Sequence, residues 1–310
     1  MVKRSLMAVP ILLIVSTITF GLVLAIPGDP ASRIAGDHAT PDRIEAIRAQ
    51  LGLDQSLMTQ YGAWFSDVVR GDLGNSLITQ VPVTEMITSR IEITLSLAIL
   101  ALLFGAVIGI PLGVAAARRP GGVVDRALQV VAAIGIAMPT YWLALLALYV
   151  LSLKLNWLPI GQYVPIAEDP WGWFQHLLMP AAVLGAALAA ELMRQVRSAM
   201  IEVAAKPYVT TAWAVGNNRR LVTWKYMAKN AAMPVVTVLG MQFTRVLGGA
   251  VVLEEIFSLP GLGSLVVDAV RDQDLPVIQG VVLVSAVIAV LVNLLVDLSY
   301  GFLNPKVSKA

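Results

Sequence analysis

The sequence predicts an all-α membrane protein with six transmembrane helices and a small extracytoplasmic cap after the first of them. Composition is the first reason: the 310 residues have a mean hydropathy of +0.77, with 57% hydrophobic and only 14% charged residues. A water-soluble domain carries far more charge. The second reason is that six segments meet or nearly meet the length of about 20 apolar residues that crosses a bilayer. The third is the distribution of Lys and Arg between these segments.

The six predicted spans include a first segment that resembles a signal peptide. Its apolar run follows Lys3 and Arg4 and is longer than the usual signal core of about 7–15 residues, so we expect a retained anchor. Pro139 and Pro276 fall inside predicted spans, where neighbouring helices can satisfy the freed carbonyl groups. The predicted spans are 5–26, 93–117, 127–153, 177–193, 231–253 and 275–296.

The charges between the spans predict the orientation. One side of the six spans carries 14 basic residues against 2 acidic ones, and the other side carries 7 against 16. Loops rich in Lys and Arg stay in the cytoplasm, which places both termini inside. The formal net charge of the whole chain is only +2, which argues against a nucleic-acid partner.

Several kinds of chemistry are excluded by composition. The chain has no Cys, so it forms no disulfide, thiolate zinc site or iron–sulfur cluster. Its two histidines, His38 and His176, lie far apart, and we predict no metal site. No glycine-rich phosphate loop with a Lys is present, so we expect no ATPase site in this chain. Intramembrane proteolysis by Ser or Asp stays open on composition but finds no supporting pair.

The long segment 27–92 predicts a small folded cap. Pro41 to Leu51 is typical of an amphipathic helix, with Thr40 as N-cap and Gly52 at its end, and Leu57 to Val69 predicts a second helix. We favour a structural cap over a substrate-binding site, because no convergent set of ligand-binding residues is visible. The predicted organisation is a first helix (1–26), the cap (27–92) and a five-helix core (93–310) with a cytoplasmic loop at 194–230.

A short amphipathic helix is predicted within this cytoplasmic loop. Pro207 suits a first helical turn and Gly216 suits the position after a helix end. Helical spacing places four residues on one face: Tyr208, Thr211, Ala212 and Val215. The helix is either a docking element for a soluble partner or a basic helix that lies on anionic lipid headgroups.

Several motifs along the chain resemble those of one family. The stretch Tyr208 to Gly216, followed by Pro234, looks like the cytoplasmic EAA-type loop of ABC importer permeases of the dipeptide/oligopeptide/nickel class. Outer-loop and C-terminal motifs of that class are also similar to segments here, which are Leu51-Gly52-Leu53-Asp54, Gly71-Asp72-Leu73-Gly74, Pro260-Gly261-Leu262-Gly263 and Asn293-Leu294-Leu295-Val296-Asp297. Each motif is weak alone, but their order and spacing are specific.

This resemblance implies a permease subunit of an ATP-driven importer in a bacterial or archaeal plasma membrane. Its partners would be a second homologous permease, two cytoplasmic ATPase subunits that bind ATP and Mg, and an extracytoplasmic solute-binding protein. The coupling residues would be Tyr208, Thr211, Ala212, Val215 and Gly216. Di- or oligopeptides are the expected substrates, while nickel chelates, glutathione-like compounds, opines, haem and sugars stay open. The alternative is a membrane channel or scaffold that is not driven by ATP.

Two charged residues, Glu191 and Arg245, fall inside predicted spans. A charge at the centre of a span costs about 2.5–3.5 kcal/mol of insertion free energy. Arg245 is predicted near mid-bilayer and we expect it to face the translocation pathway, with Gln242 at i−3 on the same face. The alternative is a structural pair between Arg245 and Glu191. For Asn293 and Asp297 in the last span, we expect packing or interspan hydrogen bonds.

Overall fold

The computed structural model describes residues 2–25, 30–35, 39–50 and 52–303, with side chains described except at 2–8, 22–25, 30, 33–34, 50, 297 and 299–303. Within these ranges the regular structure is helical, which confirms the all-α prediction. Two helical runs have π-type hydrogen bonding, Leu148–Lys154 and Val222–Ala228. The α-helices are α1 (Val2–Ala25), α2 (Pro30–Ala35), α3 (Pro41–Gln50), α4 (Leu57–Val69), α5 (Val83–Ala117), α6 (Val123–Ala137), α7 (Thr140–Ala147), α8 (Pro170–Ala204), α9 (Pro207–Ala214), α10 (Arg219–Leu221), α11 (Lys229–Ile256), α12 (Leu262–Asp272) and α13 (Leu275–Leu303).

Within the described residues, four helical runs are long and apolar enough to cross a membrane. They are Val83–Ala117, Pro170–Ala204, Arg219–Ile256 and Leu275–Val296. A bent helix pair raises the number to five if the pair counts as one span, and α1 contributes only the shorter apolar helix Val9–Gly21. The prediction of six spans is therefore not confirmed, while a multi-pass helical membrane protein is.

The predicted third span, 127–153, is broken near its middle. Helix α6 ends at Ala137, Met138 is extended with φ −74° and ψ 126°, and Pro139 is the N-cap of α7. The two arms, Val123–Ala137 and Thr140–Lys154, are bent by 96°. Proline disfavours helical geometry in the residue before it and cannot donate a backbone hydrogen bond, so the break falls where these two effects meet.

The chain forms two compact units, and the first contains residues 1–92 and 264–290. In it, α4 spans Leu57–Val69, the range that amphipathicity predicts, and packs on α1. The hydroxyl groups of Ser16 and Tyr61 lie 2.8 Å apart, and the Tyr61 ring meets Phe20 edge-on at 5.4 Å. Helix α3 occupies most of its predicted range, but the expected last residue, Leu51, lies outside the described residues.

The second unit contains residues 93–263 and 291–310, and α8 lies at its centre. Helix α8 packs against α6, α7 and α11. Its contact with α5 depends on glycines that share one face of α5. A Cβ added at Gly109 would lie 2.6 Å from the Ala189 carbonyl oxygen, and one at Gly113 would lie 2.7 Å from the Met193 carbonyl oxygen. Small residues let membrane helices approach closely, and here they fix α5 on the helix that leads to α9.

Candidate functional site

Helix α9 is the short helix expected in the cytoplasmic loop. It begins at Pro207 and ends at Ala214, and Gly216 adopts a φ of +81° just beyond it. A residue with a side chain rarely adopts this backbone conformation, so the glycine makes the turn possible. The Asn217 amide Nδ2 donates a hydrogen bond to the Ala212 carbonyl at 3.0 Å, which closes the helix end.

The two sides of α9 have different environments. Val209 and Ala212 are buried, at 0% and 6% exposure, and α9 packs against α8 and the π-helical run Val222–Ala228. Tyr208, Thr211 and Val215 are exposed, and their i, i+3, i+7 spacing places them on one outward face. Ala212 therefore packs inward, away from the face that was expected to contain it. The geometry leaves three of the predicted face residues, together with Gly216, free to meet another protein.

An ion pair between α6 and α8 was missed by sequence reasoning. Arg197 Nε and Nη2 donate to the two carboxylate oxygens of Asp125 at 2.5 and 2.7 Å, and the Gly121 N–H adds a third hydrogen bond at 2.8 Å. Asp125 is only 3% exposed, so the carboxylate ties the turn before α6 to α8. The available signal was that Asp125 is one of only two acidic residues predicted on the basic side.

The charges expected inside the membrane lie together in the structure. Arg245 Nη1 is 3.3 and 3.4 Å from the two Glu191 carboxylate oxygens, which joins α11 to α8. The pair is open to the surroundings, since the side chains of Arg245 and Glu191 are 70% and 44% exposed. Gln242 is instead 5% exposed and buried within the unit. Its spacing of three residues from Arg245 therefore does not give the two side chains a shared environment.

The remaining predicted polar residues come from the last span. Asn293 is exposed on α13, and the Asp297 side chain lies outside the described residues. The packing role expected for both stays a prediction. In the described part of the chain, no three His, Asp or Glu side chains gather as a metal site.

A second buried carboxylate was also missed. Glu254 is fully buried near the end of α11, where it accepts hydrogen bonds from Thr94 Oγ1 and the Gly263 N–H, both at 2.7 Å. Thr94 in turn accepts a hydrogen bond from the Leu262 N–H at 2.8 Å. A Cβ at Gly261 would lie 2.3 Å from the Glu254 carboxyl carbon, so glycine is needed beside the carboxylate. The Pro-Gly-Leu-Gly motif therefore packs against the buried Glu254 carboxylate.

The sequence matches two profiles of known protein families. The profile described as "Binding-protein-dependent transport system inner membrane component" matches residues 109–309, and the profile of its N-terminal part matches residues 1–98. The chain belongs to this family. The membership confirms the resemblance to ABC importer permeases of the peptide class, and it makes the chain a multi-pass inner-membrane component of a transport system.

Among its relatives is the glutathione transport system permease GsiC of Escherichia coli O6:H1, which is 40% identical over 306 residues, covering 99% of this chain and 97% of that protein. The dipeptide transport system permease DppB of Alkalihalophilus pseudofirmus is 36% identical over 325 residues, with 98% of each chain covered. A chain in an inward-facing structure of the MetNI methionine ABC transporter matches with a TM-score of 0.58 at 17% identity, over 71% of this permease and 96% of that chain. At this identity the likeness supports the fold alone.

Proposed function

We propose that this permease is one of two homologous membrane subunits of an ATP-driven importer and that the translocation pathway forms between them. Two cytoplasmic ATPase subunits bind ATP and Mg, and a solute-binding protein delivers the substrate from the other side. The chain itself needs no cofactor, and both of its termini face the cytoplasm. Di- and oligopeptides are the proposed substrates, which is supported by relatives named for dipeptide and glutathione transport.

The observation that carries this proposal is the two-sided packing of α9. Its buried side, Val209 and Ala212, fixes it to α8 and to the π-helical run that leads into α11. Its outward face, Tyr208, Thr211 and Val215, is open for an ATPase subunit. A movement of that subunit would be transmitted through this packed side of α9 to two of the longest membrane helices, α8 and the run that contains α11. A two-state switch of this kind alternates access to the pathway.

The Glu191–Arg245 pair supplies the proposed contact with substrate. A short peptide carries a carboxylate at one end and an ammonium group at the other, and the pair offers a guanidinium and a carboxylate on adjacent helices. Both side chains are exposed in the single chain, which is compatible with a water-filled pathway. Because Gln242 is buried, we assign the pathway role to Arg245 and Glu191.

Uptake of a radiolabelled dipeptide tests the function. Cells that lack this chain should lose uptake and regain it with the wild-type gene, and the purified permease should bring ATPase subunits with it. A channel or scaffold would give uptake that persists after ATP depletion, or would purify without ATPase subunits. Either result would contradict the proposal.

A further inference from the structure

A basic cavity of about 830 Å³ lies where three membrane helices begin or end. Helix α5 ends at Ala117 beside it, α6 begins at Val123, and the long run that contains α11 begins at Arg219. About 20 residues cross the hydrocarbon core, so the ends of these longer runs lie at or beyond the level of the lipid headgroups. The cavity therefore lies at or just outside the membrane surface, on the side that carries the excess of Lys and Arg.

Four arginines line this cavity: Arg118, Arg119, Arg219 and Arg220. All four are exposed, and no Asp or Glu is among the lining residues. Asp125 follows the lining residue Val124 in the sequence, but its two carboxylate oxygens already accept hydrogen bonds from Arg197 and Gly121. Across the described residues, none of the four arginines pairs with a carboxylate. The cavity is therefore positively charged and uncompensated.

Three other lining residues are apolar and exposed, while Thr223 is polar and buried. Val123 and Val124 are 86% and 60% exposed, and Trp224 is 49% exposed. Apolar residues exposed together mark a surface that contacts a protein or a membrane, and a lipid offers a phosphate and an acyl chain together. Guanidinium groups bind phosphate through paired hydrogen bonds, and tryptophan favours the membrane interface.

We propose that this cavity binds the headgroup of an anionic phospholipid. The arginines contact the phosphate, and Val123, Val124 and Trp224 contact the adjoining glycerol and acyl region. Basic pockets between membrane helices take such headgroups in other proteins. The inference goes beyond the proposed transport function and does not depend on it, because it uses only the position, charge and lining of the cavity.

Lipid binding to the full-length permease, purified in detergent, tests the proposal. Native mass spectrometry would count bound phosphatidylglycerol or cardiolipin, with phosphatidylcholine as the zwitterionic comparison. We expect R118Q/R119Q and R219Q/R220Q each to weaken binding of the anionic lipids about tenfold or more, and R118K/R119K to retain most of it. The charge-matched control R194Q/K229Q removes two exposed cations outside the cavity and should change binding less than about twofold.

Three results would overturn the proposal. One is unchanged binding of anionic lipid in both glutamine variants at wild-type thermal stability. A second is tight binding of inorganic pyrophosphate that anionic lipid does not displace, since this would assign the arginines to a soluble phosphate. The third is loss of a co-purifying ATPase subunit from the glutamine variants while lipid occupancy stays constant, which would make the cavity a protein contact. If one glutamine variant is unstable, the other decides, because Arg118 and Arg119 lie just after the end of α5 and Arg219 and Arg220 lie in α10.

Discussion

Replacing Arg245 by Ala separates a pathway role from a structural one. The ion pair with Glu191 has an N–O distance of 3.3 Å, but its side chains are 70% and 44% exposed. Ion pairs this exposed contribute about 0–1 kcal/mol to stability. In chains of about 150–250 residues, 1 kcal/mol changes the melting temperature by about 2–4 °C, so Arg245→Ala should lower it by only a few degrees. Uptake of a dipeptide with a free carboxylate should fall far more than uptake of its amidated analogue.

The assay compares R245A, E191A and the double variant by thermal unfolding and by uptake in the same cells. Arg194→Ala is the matched control, since it removes an exposed arginine from α8 that no described carboxylate pairs with. The stability of the variants would differ if the Glu191–Arg245 pair were a structural ion pair buried in the assembled transporter. Loss of one partner would then destabilise the protein by about 3–5 kcal/mol, and the double variant would recover stability. That recovery would refute the pathway assignment.

Three further predictions concern coupling, topology and packing. Gly216→Val should abolish substrate-stimulated ATP hydrolysis, whereas Gly71→Val, equally strained at φ +87°, should leave it above half of wild type; equal losses would contradict a specific role for the loop. Single cysteines at the exposed Met58 and Val215 should react with an impermeant maleimide from opposite sides of the membrane, and reaction of both from one side would contradict the charge-based orientation. Glu254→Ala should lower unfolding free energy by about 2–5 kcal/mol because its two buried donors lose their acceptor; an unchanged melting temperature would exclude this.

Local pattern was enough to predict two of the short helices, α4 and α9. The range Leu57–Val69 follows from its amphipathic spacing, and α9 follows from Pro207 and Gly216, because these residues act through backbone geometry within one turn. The break at Pro139 was misjudged, since hydropathy alone does not distinguish a tolerated proline from one that ends a helix. The pattern also did not predict which residues of α9 are buried, because burial depends on which side of the helix contacts its neighbouring helices.

Two contacts between distant residues were not predicted from the sequence, unlike the Glu191–Arg245 pair, which the two charges inside predicted spans indicated as an alternative. Asp125 and Arg197 are 72 positions apart, and Thr94 and Glu254 are 160 apart. Each residue alone is an ordinary loop charge or span-end polar group, and only the packing of α5, α6, α8 and α11 brings the partners together. The glycines that allow this packing act through neighbours that the sequence does not identify.

A photo-crosslinking amino acid at Val215 tests the central claim most directly. Val215 is 75% exposed on the outward face of α9, and Met58, 81% exposed on α4, is the control. In whole cells, the probe at Val215 should capture an ATPase subunit and the probe at Met58 should not. Capture of an ATPase subunit from Met58, or of none from Val215 at normal expression, would contradict the assignment of α9 as the element that couples ATP hydrolysis to transport.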